Sequence, residues 1–167
     1  YTHISCVEKQ FKTIITQPHQ PSLKCILLGG SFIKKELLAQ ALIRKLPVYQ
    51  SYGLTETGSA CVITALTKNT LGFSGMPLPH ITLKLKNKCI FLKGHSRCLG
   101  FEMPNKKEIL LDPKDYYNTK DHAIITTSKH LTILGRASRM VIINGENIQL
   151  EQLETFIKSL AYVNNCY

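Results

Sequence analysis

No apolar run in this chain approaches the ~20 residues a membrane-spanning helix needs, so its 167 residues are expected to form a soluble protein. Acidic residues are scarce, with 11 Asp and Glu against 21 Lys and Arg and a formal net charge of +10. Such a balance attracts polyanions. It is accompanied by neither an Arg-rich helix nor the stacking aromatics of an RNA-binding sheet, and its lysines are scattered, as in Lys34-Lys35, Lys84, Lys86 and Lys106-Lys107. We expect no nucleic-acid partner and a basic surface that is solvated or faces a polyphosphate ligand; a nucleic-acid binder would instead show steeply salt-dependent binding. The six cysteines include no C-x-x-C pair and no His at ligand spacing, which argues against a zinc site. Cys25 and Cys89 lie in strand-like runs, where cysteine acts as a small hydrophobe. Reduced, mostly buried cysteines point to the cytoplasm. There is no initiator Met and no signal-type leader, and the chain opens in mid-pattern at Tyr1-Thr2-His3-Ile4, so a fragment of a longer protein is expected.

Hydrophobic periodicity organises what is present. Val7, Phe11, Ile14 and Ile15 recur at helical spacing over residues 5–17, which Pro18 and Pro21 close. Residues 24–28 read as a short buried strand ending in Gly29-Gly30, residues 34–45 as a second helix, and residues 48–51 as the next strand. Strand, helix and strand with short connections imply a parallel pair, whose ligand site lies beyond the carboxyl ends of the strands. Gly29-Gly30 and a glycine turn at Tyr52-Gly53 stand at those ends. After Gly72 the texture becomes β-rich. Ile81, Leu83 and Leu85 pair by pattern with Ile90 and Leu92 across Asn87-Lys88, and a second hairpin joins Ile124-Ile125 to Leu131 and Ile133. A strand at 140–143, a turn at Asn144-Gly145 and a helix over 150–160 follow. There is no internal repeat and no low-complexity segment.

The stretch YQSYGLTETGSA, residues 49–60, concentrates an aromatic, threonines, a carboxylate and glycine at one strand end. Alone it has two readings. It is a turn whose Thr and Glu cap the next element, or a site in which an aromatic faces a base, a hydroxyl meets phosphate, a carboxylate holds a hard cation and glycine admits close approach. Three further stretches follow in order: Gly72-Phe73-Ser74-Gly75-Met76-Pro77-Leu78-Pro79, Tyr117-Asn118-Thr119-Lys120-Asp121, and Gly135-Arg136 with Asn144-Gly145-Glu146-Asn147-Ile148 and Glu151 to Glu154. Together with Tyr52-Gly53-Leu54-Thr55-Glu56 these resemble the motifs of the adenylate-forming acyl-CoA ligase superfamily. Thr2-His3-Ile4-Ser5, Ile26 to Ser31 and Val48 to Thr57 are similar to its o-succinylbenzoate-CoA ligase branch, from menaquinone biosynthesis.

The resemblance implies an α/β region followed by a β-rich subdomain: the C-terminal half of the large superfamily domain, then the start of a small α+β domain. Its parts are residues 1–70 (adenylate-binding), 71–135 (β-rich), a hinge at 136–138, and 139–167. It implies ATP or AMP, magnesium and coenzyme A as ligands, a small carboxylic acid as substrate, and catalytic roles for Thr55 and Glu56. Thr55 would lie near the α-phosphate and Glu56 on magnesium. Tyr52 would face adenine, and Asp121 and Arg136 would hold the ribose, with Gly30, Ser31, Ser51 and Gly53 also at the nucleotide. Gly29, Thr57 and Ser59 would line the acid pocket, and Ser138 would be the turning point. Ser59 reads equally as a strand-start hydroxyl, and Arg136 as a surface ion-pairing residue.

The superfamily's phosphate-gripping loop is expected upstream of Tyr1 and its C-terminal lysine beyond Tyr167. The alternatives are a ligase for another aromatic or fatty acid and a non-catalytic nucleotide-binding fragment; a homo-oligomer stays open. The chain departs from the pattern at several points. Lys120 replaces a glycine, a cost of about 1 kcal/mol if φ is positive there. Ser138 stands at the hinge position where many relatives have Asp or Lys, and Arg139 replaces the usual acidic neighbour. Asn144 replaces another glycine, and Gln149-Leu150 an aromatic-Pro pair.

Overall fold

A computed structural model describes residues 1–18, 21–103, 106–110, 115–143, 146–160 and 162–163. The turn expected at Asn144-Gly145, and Cys166, lie outside the described residues.

The first sheet has five strands in the order β1 (His3–Cys6), β2 (Cys25–Leu28), β3 (Val48–Leu54), β4 (Ser59–Ala65) and β5 (Met76–Pro77). The first three run parallel and the last three antiparallel. Two helices, α1 (Glu8–Ile14) and α2 (Lys35–Ile43), connect the parallel strands. Phe11 and Ile15 of the α1 region and Leu37, Leu38 and Ala41 of α2 bury against Ile26, Leu28 and Val48. The helix expected over 5–17 is therefore shorter. Residues 3–6 pair with β2 instead, and the Val7 N–H donates to Gln10 Oε1 at 3.0 Å to close the first helical turn.

The strand expected to stop at residue 51 runs on to Leu54, so Tyr52-Gly53 is strand and not turn. Glycine reads as a strand breaker. Here it serves close pairing: a Cβ on Gly53 would lie 2.1 Å from the Ser59 carbonyl oxygen across the hairpin, and the register shifts between Tyr52 and Gly53. The chain reverses further on, through a 3₁₀ turn at Thr55–Thr57 and Gly58, whose φ is 71°.

The second sheet is antiparallel. Its strands β6 (Ile81–Lys86), β7 (Cys89–Gly94), β10 (Tyr117–Ile125) and β11 (Leu131–Arg136) lie in the order β11-β10-β7-β6. Both expected hairpins form, with Leu83 opposite Leu92, Leu85 opposite Ile90 and Ile125 opposite Leu131. Asn87 and Lys88 have φ of 51° and 63°, as a two-residue type I′ turn demands. Two ribbons complete the described strands: β8 (Gly100–Met103) with β9 (Lys106–Leu110), and β12 (Met140–Ile143) with β13 (Glu146–Gln149). A 3₁₀ turn at Ala137–Arg139 precedes β12, and α3 (Leu150–Lys158) follows β13. Sequence reading had not marked β13 or the β8-β9 ribbon.

Two apolar clusters result. The first gathers β1, β2, both helices, Val48 and Leu66. The second gathers Cys61, Val62, Ile81, Ile90, Leu92, Ala123 and Leu131, with Tyr52 and Leu54 packed against it. Strands β3 and β4 join them. Among the described residues Cys6 and Cys61 are buried, while Cys25, Cys89 and Cys98 are half-buried, so fewer are inside than expected.

Lys120 has φ of 59° at the position where the resemblance placed glycine. A side chain in left-handed backbone is strained. Lys120→Gly is expected to stabilise the fold by about 1 kcal/mol, which thermal unfolding would register as a Tm rise of about 2–4 °C for a chain of this size.

Candidate functional site

The carboxyl ends of β1, β2 and β3 open on one side, as parallel strands must, and a cavity of about 820 Å³ lies there. Its floor is Gly29, Gly30 and Ser51. A Cβ on Gly29 would sit 2.3 Å from Ser51 Oγ, so the missing side chain is what lets that hydroxyl stand between the two strands, donating to the Leu28 carbonyl at 3.3 Å. Gly30 has φ of 78°. The far wall is Gly53, Thr55, Glu56 and Ser59, and Arg136 reaches in from the end of β11. Eight of the residues singled out from sequence thus share one cavity.

Five others stand off its lining, among them Ser138, exposed in the Ala137–Arg139 turn. Ser31 is exposed beyond Gly30. Thr57 is buried at 1% exposure, and its hydroxyl accepts from the Leu54 N–H at 3.0 Å and lies 2.7 Å from the Ser59 carbonyl; it pins the 3₁₀ turn that presents Thr55 and Glu56. Tyr52 and Asp121 meet each other behind the cavity. The Tyr52 phenol donates to Asp121 Oδ2 at 2.6 Å, while Arg136 Nε lies 3.0 Å from Asp121 Oδ1. Arg136 Nη1 also donates to the Thr119 carbonyl at 3.2 Å, and the Asp121 N–H to Thr119 Oγ1 at 3.1 Å. Three residues distant in sequence therefore form one chain of hydrogen bonds from β3 through β10 to β11, with Arg136 at its cavity end.

Asp121 is 4% exposed. Burial raises its pKa above the ordinary carboxylate value; the Tyr52 hydrogen bond and the Arg136 charge oppose that rise. With the folded value above the unfolded one, this group favours the folded chain most at low pH, and that contribution is lost as pH rises through the folded pKa. Burial, then Asp121, pushes the Tyr52 phenol up, so it stays a donor.

Sequence reading missed one neighbour. Tyr117 sits beside Glu56, and burial followed by that carboxylate raises its phenol to about 12. Its place four residues before Asp121, opening the aromatic-x-T-x-D stretch, was the available signal. The backbone of Glu56 is held as well, since the Cys98 N–H donates to its carbonyl at 2.7 Å. Cys61 packs under Tyr52 with its thiol raised to about 11 by burial, so it is no nucleophile.

Among the described residues no three His, Cys, Asp or Glu side chains converge as a metal cage. Magnesium needs no such cage, since one carboxylate with phosphate and water oxygens suffices. Glu56, on the cavity wall and half-buried, fits that use.

The model of the family described as AMP-binding enzyme matches residues 1–89, including both glycine-bearing strand ends and the Thr55-Glu56 turn. The chain belongs to the AMP-binding enzyme family. It is 33% identical to the 2-succinylbenzoate–CoA ligase of Staphylococcus epidermidis over 94% of its own length and 35% of the relative's. It superposes on the o-succinylbenzoate CoA synthetase of Bacillus subtilis in complex with its acyl-adenylate intermediate with a TM-score of 0.86 at 26% identity, covering 98% of this chain and 37% of that one. The structure of the Bacillus enzyme with ATP and a magnesium ion gives 0.82 at 26% identity, covering 95% and 36%. The chain thus spans about a third of the length of these relatives. It shares their fold over that span, an α/β region followed by antiparallel sheet. No helix among the described residues is long and apolar enough to cross a membrane.

Removing a donor that favours the carboxylate raises its pKa. In Tyr52→Phe the Asp121 carboxyl is therefore expected to titrate at higher pH than in the parent, measured by the ¹³C shift of its carboxyl carbon; an unchanged midpoint would refute the coupling.

Proposed function

We propose that this chain carries the nucleotide-binding half-site of a carboxylic acid–CoA ligase that works through an acyl-adenylate, with o-succinylbenzoate as the acid. The observation that carries the reading is the joining of Tyr52, Asp121 and Arg136 into one hydrogen-bonded chain whose end enters the cavity walled by Thr55 and Glu56. Support for the acid comes from relatives named for it at about one-third identity. We divide the chain as residues 1–70, 71–135, a hinge at 136–138, and 139–167.

In the first half-reaction the acid's carboxylate oxygen attacks the α-phosphorus of ATP and pyrophosphate leaves. Thr55 donates to an α-phosphate oxygen as charge builds there. Arg136 donates to a ribose hydroxyl, and Asp121, buried behind the cavity, orients that guanidinium where the resemblance implied a direct ribose contact. The Tyr52 ring backs the adenine while its phenol keeps Asp121 in place. Gly30, Ser31, Ser51 and Gly53 admit the nucleotide close to backbone, and Gly29, Thr57 and Ser59 shape the acid's end of the site. Glu56 would hold magnesium, which when bound would supply charge neutralisation on the phosphates. In the second half-reaction the coenzyme A thiolate sulfur attacks the acyl carbonyl and AMP leaves. Ser138, exposed in the Ala137–Arg139 turn, is the backbone pivot between the two steps.

The test is pyrophosphate release by the longest protein containing this chain, with ATP, magnesium, coenzyme A and a panel of acids. Release selective for o-succinylbenzoate is expected; release with another acid would retain the chemistry and discard the substrate, and silence across the panel from folded protein would discard both. Glu56→Gln is expected to slow release about a hundredfold, on the scale of one lost charge-stabilising contact in the transition state.

A further inference from the structure

Arg136 is gripped at both ends. Its guanidinium holds Asp121 and the Thr119 carbonyl. Its backbone is held from the opposite side by the start of α3 and the end of β13: the Arg136 N–H donates to Glu151 Oε1 at 3.2 Å, and Gln149 Nε2 donates to the Arg136 carbonyl at 3.1 Å. The same Glu151 oxygen lies 3.4 Å from Arg139 Nε, and Arg139 also pairs with Glu154 one helical turn on. Glu151 lies tight against Gly135, where a Cβ would come 2.5 Å from its Oε2, so glycine just before the arginine is what admits the carboxylate. Glu151 Oε2 and Gln149 Oε1 are buried with no donor among the described residues. A carboxylate that is costly to bury is kept here by its grip on Arg136 and Arg139.

We propose that Glu151 is a positioning residue for Arg136: by fixing that residue's backbone it aims the guanidinium at Asp121, and by sharing its carboxylate with Arg139 it ties this aim to the conformation of the Ala137–Arg139 turn. Rotation about Ser138 carries Arg139 and Glu151 together, as parts of 139–167, so it cannot proceed without releasing Glu151 from the Arg136 N–H, and releasing it loosens Arg136. The consequence for ligand binding rests on the nucleotide reading above; the grip itself does not.

Hydrogen exchange of the Arg136 and 137–139 amides, read without ligand, is to be compared with ATP affinity by equilibrium dialysis. Glu151→Ala is expected to speed exchange at Arg136 about tenfold, the scale of one charge-assisted hydrogen bond, to leave the β6-β7 hairpin unchanged, and to weaken ATP binding about fivefold. Glu151→Gln keeps an acceptor for the Arg136 N–H and is expected to recover at least half of both effects on a logarithmic scale. Unchanged exchange at Arg136 in Glu151→Ala, or no recovery with Gln, would overturn the proposal. Arg139→Ala serves if Glu151→Ala fails to fold: faster exchange at 137–139 with weaker ATP binding supports the coupling, and unaltered ATP binding refutes it. If the parent protein binds no ATP, the nucleotide reading fails, while the exchange comparison still decides whether Glu151 holds Arg136.

Discussion

The short hydrogen bond from the Tyr52 phenol to Asp121 is the contact on which the rest of this structure turns. It crosses from the mixed sheet to the antiparallel one, between residues 69 apart in sequence, in a setting where Asp121 is almost wholly shielded from water. A buried carboxylate with only one partner would be costly. Here one oxygen accepts from the phenol and the other faces Arg136, and the phenol cannot ionise away from its role because burial and the adjacent carboxylate both oppose it. The two sheets are thereby held at a separation that leaves the strand ends open as a cavity while delivering an arginine to its rim.

Much of this was readable in the sequence where pattern and local chemistry agreed. The β6-β7 and β10-β11 hairpins followed from alternation, and α2 from its apolar spacing. The motif stretches placed Thr55, Glu56, Gly29, Gly30 and Arg136 in one site before any geometry was known. What escaped had physical causes. The first strand was absorbed into the following helix because Ser5 and Cys6 fit either period over so short a run. Gly53 reads as a turn because nothing local announces that a partner strand passes within van der Waals distance. Ribbon β12-β13 was half seen, since the four-residue β13 has no alternation of its own and is defined by its partner's register. That Tyr52 and Asp121 touch, or that Glu151 reaches the backbone of Arg136, is a tertiary fact with no local signature.

Glycine placement shows how closely this site is built. At Gly29, Gly53 and Gly135 a side-chain carbon would meet, in turn, a hydroxyl, a carbonyl and a carboxylate at 2.5 Å or less. In each case the polar group that occupies the vacated space belongs to the site or to the grip behind it. Gly29 and Gly53 thus serve to make room for a neighbour's oxygen, while Gly135, with φ of 146°, also uses glycine's backbone freedom.

Strands β3 and β4 contribute Val48 at one end to the first apolar cluster, and Cys61 and Val62 to the second, with Tyr52 and Leu54 packed against it. A hairpin shared in this way leaves neither cluster a boundary of its own. Melting either one strips cover from strands the other needs, so the two halves should lose structure together in a single cooperative transition. The segment that displays Thr55 and Glu56 is the tip of that shared hairpin, and its rigidity is on loan from both sides at once.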